Sequence, residues 1–273
     1  MAIITISRGT RTGAEALAER LAHELGYPLL SQESAQQAAA QLGVPAKDLQ
    51  ERMEEKPAVF GRTSLLTRLY KAALRNALAE AAGNGNLVYH GVAGGLLLRE
   101  APAVLSVRLI APVEARIQDL MDAEGMDPSA AEAYIGEVDD ARARWVRIIY
   151  GEDIADPALY DFVLNLDTFS VAEACEVLCL AATRPEFTVS GEGLADFQDF
   201  RLASQVRLAL LEDLGTQTLD LDARVRRGTV VVTGKAPVRE TEEVRNRIVE
   251  IARSAASVQE VRLDIKWSGK AGP

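Results

Sequence analysis

The residues Arg8-Gly9-Thr10-Arg11-Thr12-Gly13 carry the clearest chemical signal in the chain. They lie between a β-branched apolar run, Ile3 to Ser7, and a segment of helical spacing that starts at Ala14. A glycine-bearing loop between a strand and a helix turns backbone N–H groups toward one point, and the helix N-terminus adds its partial positive charge there. That arrangement suits an anion such as phosphate. The common form of the loop, Gly-x-x-x-x-Gly-Lys-[Ser/Thr], adds a lysine for the outer phosphates and a hydroxyl for magnesium. Here Gly9 is four residues before Gly13, Ala14 stands at the lysine position and Glu15 at the hydroxyl position. The same spacing also serves as a plain structural turn, so the loop alone leaves both readings open.

A second set of charges follows farther along. Arg116 opens one helical segment, and Arg142, Arg144 and Arg147 lie on the next, close to Asp139 and Asp140. A guanidinium is always charged and grips phosphate oxygens in two places. The bland alternative is a solvated helix face paired with its own acids. Metal chemistry has little to draw on, because the histidines are His23 and His90 and the cysteines are Cys175 and Cys179. The two cysteines are four apart in an apolar helical stretch, which suits two small buried hydrophobes better than a disulfide. The net charge of −10 argues against general affinity for nucleic acid or an anionic membrane. No run of roughly 18 apolar residues suggests a membrane span, and a short apolar start without a basic segment reads as a strand. A reducing, cytoplasmic home is the default expectation.

The elements that must position these residues alternate. Strands are expected at Ile3 to Ser7, Leu29-Leu30, Leu87 to His90, Val104 to Ile110 and Asp161 to Leu166. Between them lie helical patterns at Ala14 to Leu25, Gln32 to Leu42, Ala46 to Glu54, Thr63 to Ala82 and Ser129 to Tyr150, with a further helix opened by Pro112 at its first position. Ser170 caps a last helix running to about Ala182. The small residues Gly91 to Gly95 read as a turn. This alternation predicts an α/β fold, a three-layer parallel sheet covered on both faces. Periodicity fades from Arg184 to Leu194, which reads as a linker. A new pattern follows: a helix at Phe200 to Leu211, a strand from Leu219 to Val225, a tight turn at Arg227-Gly228, Val230 to Val232, a helix at Thr241 to Ala255 and a strand from Val258 to Ile265. That is a small α+β module of order αββαβ. The expected organisation is residues 1–184, a linker at 185–197 and a second domain at 198–267.

Ile4-Thr5-Ile6-Ser7-Arg8, the loop to Gly13 and the helix from Ala14 resemble the opening of the cytidylate kinase-like family, a group of P-loop nucleoside monophosphate kinases. Further matching blocks are Val88-Tyr89-His90-Gly91, Val107 to Pro112, Arg116-Ile117, Asp139-Asp140-Ala141-Arg142 with Trp145, Tyr150-Gly151, Asp156-Pro157 and Tyr160 to Asn165. The resemblance spans about Ala2 to Ala182. It implies a P-loop kinase-like sheet and phosphoryl transfer from ATP, with magnesium, to a nucleoside monophosphate or other small acceptor. The nucleotide loop would be Arg8, Gly9, Thr10, Arg11, Thr12, Gly13 and Ala14. Arg116 and Arg142 would carry the catalytic charge, with Asp139, Arg144 and Arg147 in the same lid. Arg62, His90 and Gly91 would line the acceptor side. No metal-ligating residue is assigned, and Asp167 reads as a turn residue.

Three positions depart from the family's pattern: Arg11 and Ala14 replace glycines, and Val92 replaces the arginine after His-Gly. They set a second expectation beside the kinase, a nucleotide-binding regulator without turnover; a structural adaptor is a third. Phe200 to Ile265 resembles a BON domain, on Arg201 to Leu211, Gly228 to Gly234 and Val258 to Val261. This resemblance implies a phospholipid, small-ligand or protein partner, in a sensing or docking role. Arg224, Arg226 and Arg227 around the turn could meet an anion or simply form a solvated hairpin tip.

Overall fold

A computed structural model describes residues 2–45, 47, 51, 64–189, 191–236, 241–255, 258 and 260–268. The first sheet contains β1 (Ile3–Arg8), β2 (Leu29–Ser31), β3 (Leu87–His90), β4 (Val104–Ile110) and β5 (Phe162–Asn165). All its pairings are parallel, and the order is β2-β3-β1-β4-β5. Central β1 is buried on both faces, which explains its unbroken apolar run. On one face, Ile4, Ile6, Leu105 and Val107 pack against α1 (Ala14–Leu25) and α7 (Val171–Ala182). On the other, Ile3, Leu87 and Tyr89 pack with α2 (Gln32–Gln41), α3 (Leu65–Ala82), the short α4 (Gly94–Leu97) and the end of α6 (Pro128–Tyr150). α5 (Val113–Glu124) packs on α6 through Leu120 and Ile135. The expected three-layer α/β sheet is therefore present. Strand order reverses about β1, and such sheets take ligands in the crevice at the carboxyl ends of their strands.

Local signals act as expected at several ends. Ser170 and Glu173 form a reciprocal capping box at the start of α7. Cys175 and Cys179 on α7 are free thiols with sulfurs 3.9 Å apart. Pro112 is the cap residue of α5 and not its first helical residue. Gly94 and Gly95, read as part of a turn, start the helical turn α4. The pattern at Ala46 to Glu54 lies largely outside the described residues.

The second sheet has the order β6-β7-β8, from β6 (Asp220–Arg226), β7 (Thr229–Ala236) and β8 (Glu260–Trp267). β6 and β7 are antiparallel and β7 and β8 parallel. Arg227 and Gly228 both have positive φ, the backbone of the two-residue hairpin turn. α9 (Glu242–Ala255) covers this sheet together with α8 (Glu192–Glu212).

α8 begins eight residues before the expected Phe200, inside the segment read as a linker. Its apolar residues explain both the early start and the missed periodicity. Phe197, Phe200, Leu208 and Leu211 belong to the core of the first sheet, whereas Val206 and Leu210 belong to that of the second. A helix with apolar residues on two faces shows no single stripe. Polar contacts reinforce the junction. Arg68 donates to the Leu219 carbonyl at 2.8 Å, Gln205 donates to Glu80 at 2.8 Å, and Arg207 pairs with Glu100 at 2.8 Å and also with Asp222.

Candidate functional site

The loop from Arg8 to Gly13 hangs between the end of β1 and α1, at the crevice that the strand order creates. Arg11 (φ 57°) and Gly13 (φ 75°) are both left-handed, and Gly13 caps α1. At Arg11 this backbone runs against the side chain's preference. Thr12 closes the turn by donating to the Gly9 carbonyl at 3.3 Å. A Cβ on Gly9 would lie 3.3–3.4 Å from Thr12, Arg116 and Asp139, so the glycine lets these side chains approach the backbone. Ala14 is the buried first residue of α1 and packs into the core beneath the loop.

Helix α6 brings Asp139 and Arg142 onto that loop. Trp145, packed edge-on against Tyr70 at 5.7 Å, anchors the helix to α3. Asp139 Oδ1 accepts from the Thr10 N–H and the Thr10 hydroxyl, both at 2.9 Å. Its Oδ2 accepts from Arg116 Nη2, while Arg116 Nε donates to the Thr10 carbonyl at 2.6 Å. Arg142 Nη1 donates to Thr10 Oγ1 at 2.9 Å and lies 3.8 Å from Asp139. Burial opposes the charge on Asp139, but the hydrogen bonds from Arg116 and Thr10 outweigh it and hold the carboxyl below its ordinary range.

Beside the loop is a cavity of about 530 Å³, lined among others by Arg8, Gln32, Glu33, Gln36, Val92 and Arg142. Arg8 is half-buried, and its Nε has no hydrogen-bond partner among the described residues. The Val92 N–H donates to Gln32 Oε1 at 2.8 Å, so Val92 is fixed in this wall. Loop and cavity thus share Arg142 and are joined by Arg8.

The structure brings together Arg8, Gly9, Thr10, Arg116 and Arg142 from the sequence expectation. Arg11 is turned outward instead, ion-paired with Asp119 and Glu124 of α5. Arg144 is exposed, and Arg147 pairs with Asp153 at 3.3 Å on the surface. Helical spacing explains the split, because Asp139 and Arg142 are three apart and share a face that the other two do not. His90 is buried next to Arg8, with Nδ1 unpartnered among the described residues, and lies outside the cavity lining. Gly91 has a packing role: a Cβ there would clash with Tyr89 Oη and lie 2.9 Å from Gln32 Cβ. Arg62 lies outside the described residues. Asp167 is exposed, in a turn where its N–H donates to Asn165.

Sequence reasoning expected the helices from Gln32 to Ala82 to shape an acceptor pocket, but it singled out none of Gln32, Glu33 and Gln36. It also passed over Arg108, which donates to Ser7 Oγ at 3.1 Å at the foot of the loop. The cation set fits a nucleotide's phosphates. Among the described residues no group of three or more His, Cys, Asp or Glu side chains that could hold a metal ion forms. No helix among the described residues is long and apolar enough to cross a membrane.

The chain is similar to known proteins over its first domain. The chain is 28% identical over 169 residues to a cytidylate kinase of Ignicoccus hospitalis, covering 60% of this chain and 90% of that one. It is 31% identical over 169 residues to a cytidylate kinase of Methanoculleus marisnigri, covering 62% and 87%. A solved structure of an uncharacterized protein from Eubacterium ventriosum superposes with a TM-score of 0.52 at 22% identity, over 66% of this chain and 97% of that one. A BON domain model matches residues 198–269. With the cytidylate kinase-like family model matching residues 3–168, on the sheet and loop just described, the chain belongs to the cytidylate kinase-like family.

Proposed function

We propose that the chain binds a nucleoside triphosphate at residues 8–14 and transfers its terminal phosphoryl group to a small acceptor in the adjoining cavity. The observation that carries this reading is the placement of Arg142 and Arg8, guanidiniums that face both the loop and the cavity. Phosphoryl transfer needs positioning and charge neutralisation more than covalent help. Thr10 N–H and Arg116 stand where they can hold nucleotide phosphates, and Arg142 can neutralise charge on the group in transit. Arg8 would hold an anionic acceptor. The relatives' name points to CMP, and Gln32, Glu33 and Gln36 offer the donors and acceptors that a base or sugar edge requires. Magnesium, when bound with ATP, would supply further neutralisation of the phosphates.

A second reading, nucleotide binding without turnover, draws on Val92, an apolar residue in the wall where the family's pattern has arginine. Calorimetry with ATP and CMP, followed by a coupled assay for ADP, distinguishes the two. The kinase reading expects CMP-dependent ADP release that falls about a hundredfold or more in Arg142→Ala, as removing a charge-stabilising donor typically does. Binding with no ADP release leaves the regulator.

A further inference from the structure

An anion of the chain's own already occupies donors of the loop. Asp139 Oδ1 takes the Thr10 N–H and the Thr10 hydroxyl, Oδ2 takes Arg116, and Arg142 stands beside both. Carboxylate and phosphate oxygens seek the same charge-assisted donors, so the two compete for one place. A Cβ on Gly9 would sit 3.4 Å from the Asp139 carboxylate, which shows how closely the lid is pressed onto the loop. The hydrogen bonds hold that carboxylate in its charged form, so it does not yield by taking up a proton near neutral pH.

We infer that Asp139 is a latch: an intramolecular stand-in for phosphate that keeps the loop shut until a polyphosphate displaces it. This rests on the nucleotide reading above. Displacement would free Arg116 and Arg142 from the carboxylate in one event and hand both to the incoming phosphates. Asp139 then makes nucleotide binding weaker than the bare loop would allow, and it couples lid movement to phosphate arrival. The opposite assignment, in which Asp139 simply holds the two arginines in productive positions, predicts the reverse sign.

The test is calorimetric titration of the full chain with inorganic pyrophosphate and with ATP. The proteins are wild type, Asp139→Asn, Asp139→Ser and, as a control, Asp140→Asn. Asp140 is exposed and removes the same charge one residue away. The latch expects both Asp139 variants to bind roughly tenfold or more tighter than wild type, the scale of one charge-assisted hydrogen bond released. It expects Asp140→Asn to be unchanged. Either Asp139 variant that folds is sufficient to decide the sign. Equal or weaker binding by the Asp139 variants, with wild type binding normally, overturns the latch and leaves nucleotide binding standing. Equal tightening by Asp140→Asn also overturns it, because bulk charge then explains the gain. Binding by an Asp139 variant where wild type binds neither probe supports the latch. Failure of every protein to bind either probe removes the latch and the nucleotide reading together.

Discussion

His90 shows how the loop's charge reaches a residue that it does not touch through a hydrogen bond. Burial comes first, and the nearby Arg8 charge adds to it; together they push the imidazole below its ordinary value, against weaker opposing effects of Glu15 and Glu33. The folded state therefore holds His90 neutral. A group with a lowered folded pKa contributes stability above its unfolded value and loses it as the pH falls through the folded one. Thermal melts should then show a drop in midpoint on acidification from about pH 6.5, the ordinary histidine value. His90→Gln should flatten that drop between about pH 6.5 and pH 5. An equally steep fall in the variant would assign the titration to other groups.

At the scale of elements, the end of β3 and the start of α2 meet over Gly91. The Tyr89 ring is fully buried and fills the space that a side chain at Gly91 or Gly94 would need. Its hydroxyl has no hydrogen-bond partner among the described residues, and burial pushes its pKa well above the ordinary tyrosine value. Gly91→Ala is expected to destabilise by about 1–3 kcal/mol, the usual cost of overpacking. Tyr89→Phe should be close to neutral alone, since the hydroxyl it removes is already unpaired. Combined with Gly91→Ala it should recover part of the loss, because the nearest clash is with that hydroxyl. Urea melts of the four proteins measure this coupling; strict additivity would show that the strain lies in the backbone instead.

Across the whole molecule, α8 decides how the two sheets behave. A helix that gives Phe197 and Phe200 to one core and Val206 and Leu210 to the other makes neither core complete alone. Arg68 on α3, the helix that follows the segment containing Arg62, also bonds the carbonyl just before β6. Phe197 is fully buried, so Phe197→Ala should cost about 3–5 kcal/mol. If the cores are thermodynamically joined, near-UV and far-UV melts should shift together as one transition. A shift in one of two separable transitions would show that the C-terminal module unfolds independently.

What the sequence determined by itself was the local and periodic content. β-branched runs gave the strands of a parallel sheet, Ser170 gave a cap, Arg227-Gly228 gave a hairpin turn, and the glycines gave a strand–loop–helix open to both an anion and a plain turn. These signals are legible because each acts within a few residues of itself. Tertiary structure alone decided the rest. Asp139 is 129 residues from Thr10, yet it occupies donors of the loop. Arg11, in the loop itself, is drawn away by acids on α5, and Ala14 is spent on the core. α8 hides its periodicity because two cores share it. In each case the outcome depends on which distant group makes the most favourable contact with a charge or an apolar face, and spacing along the chain does not encode that.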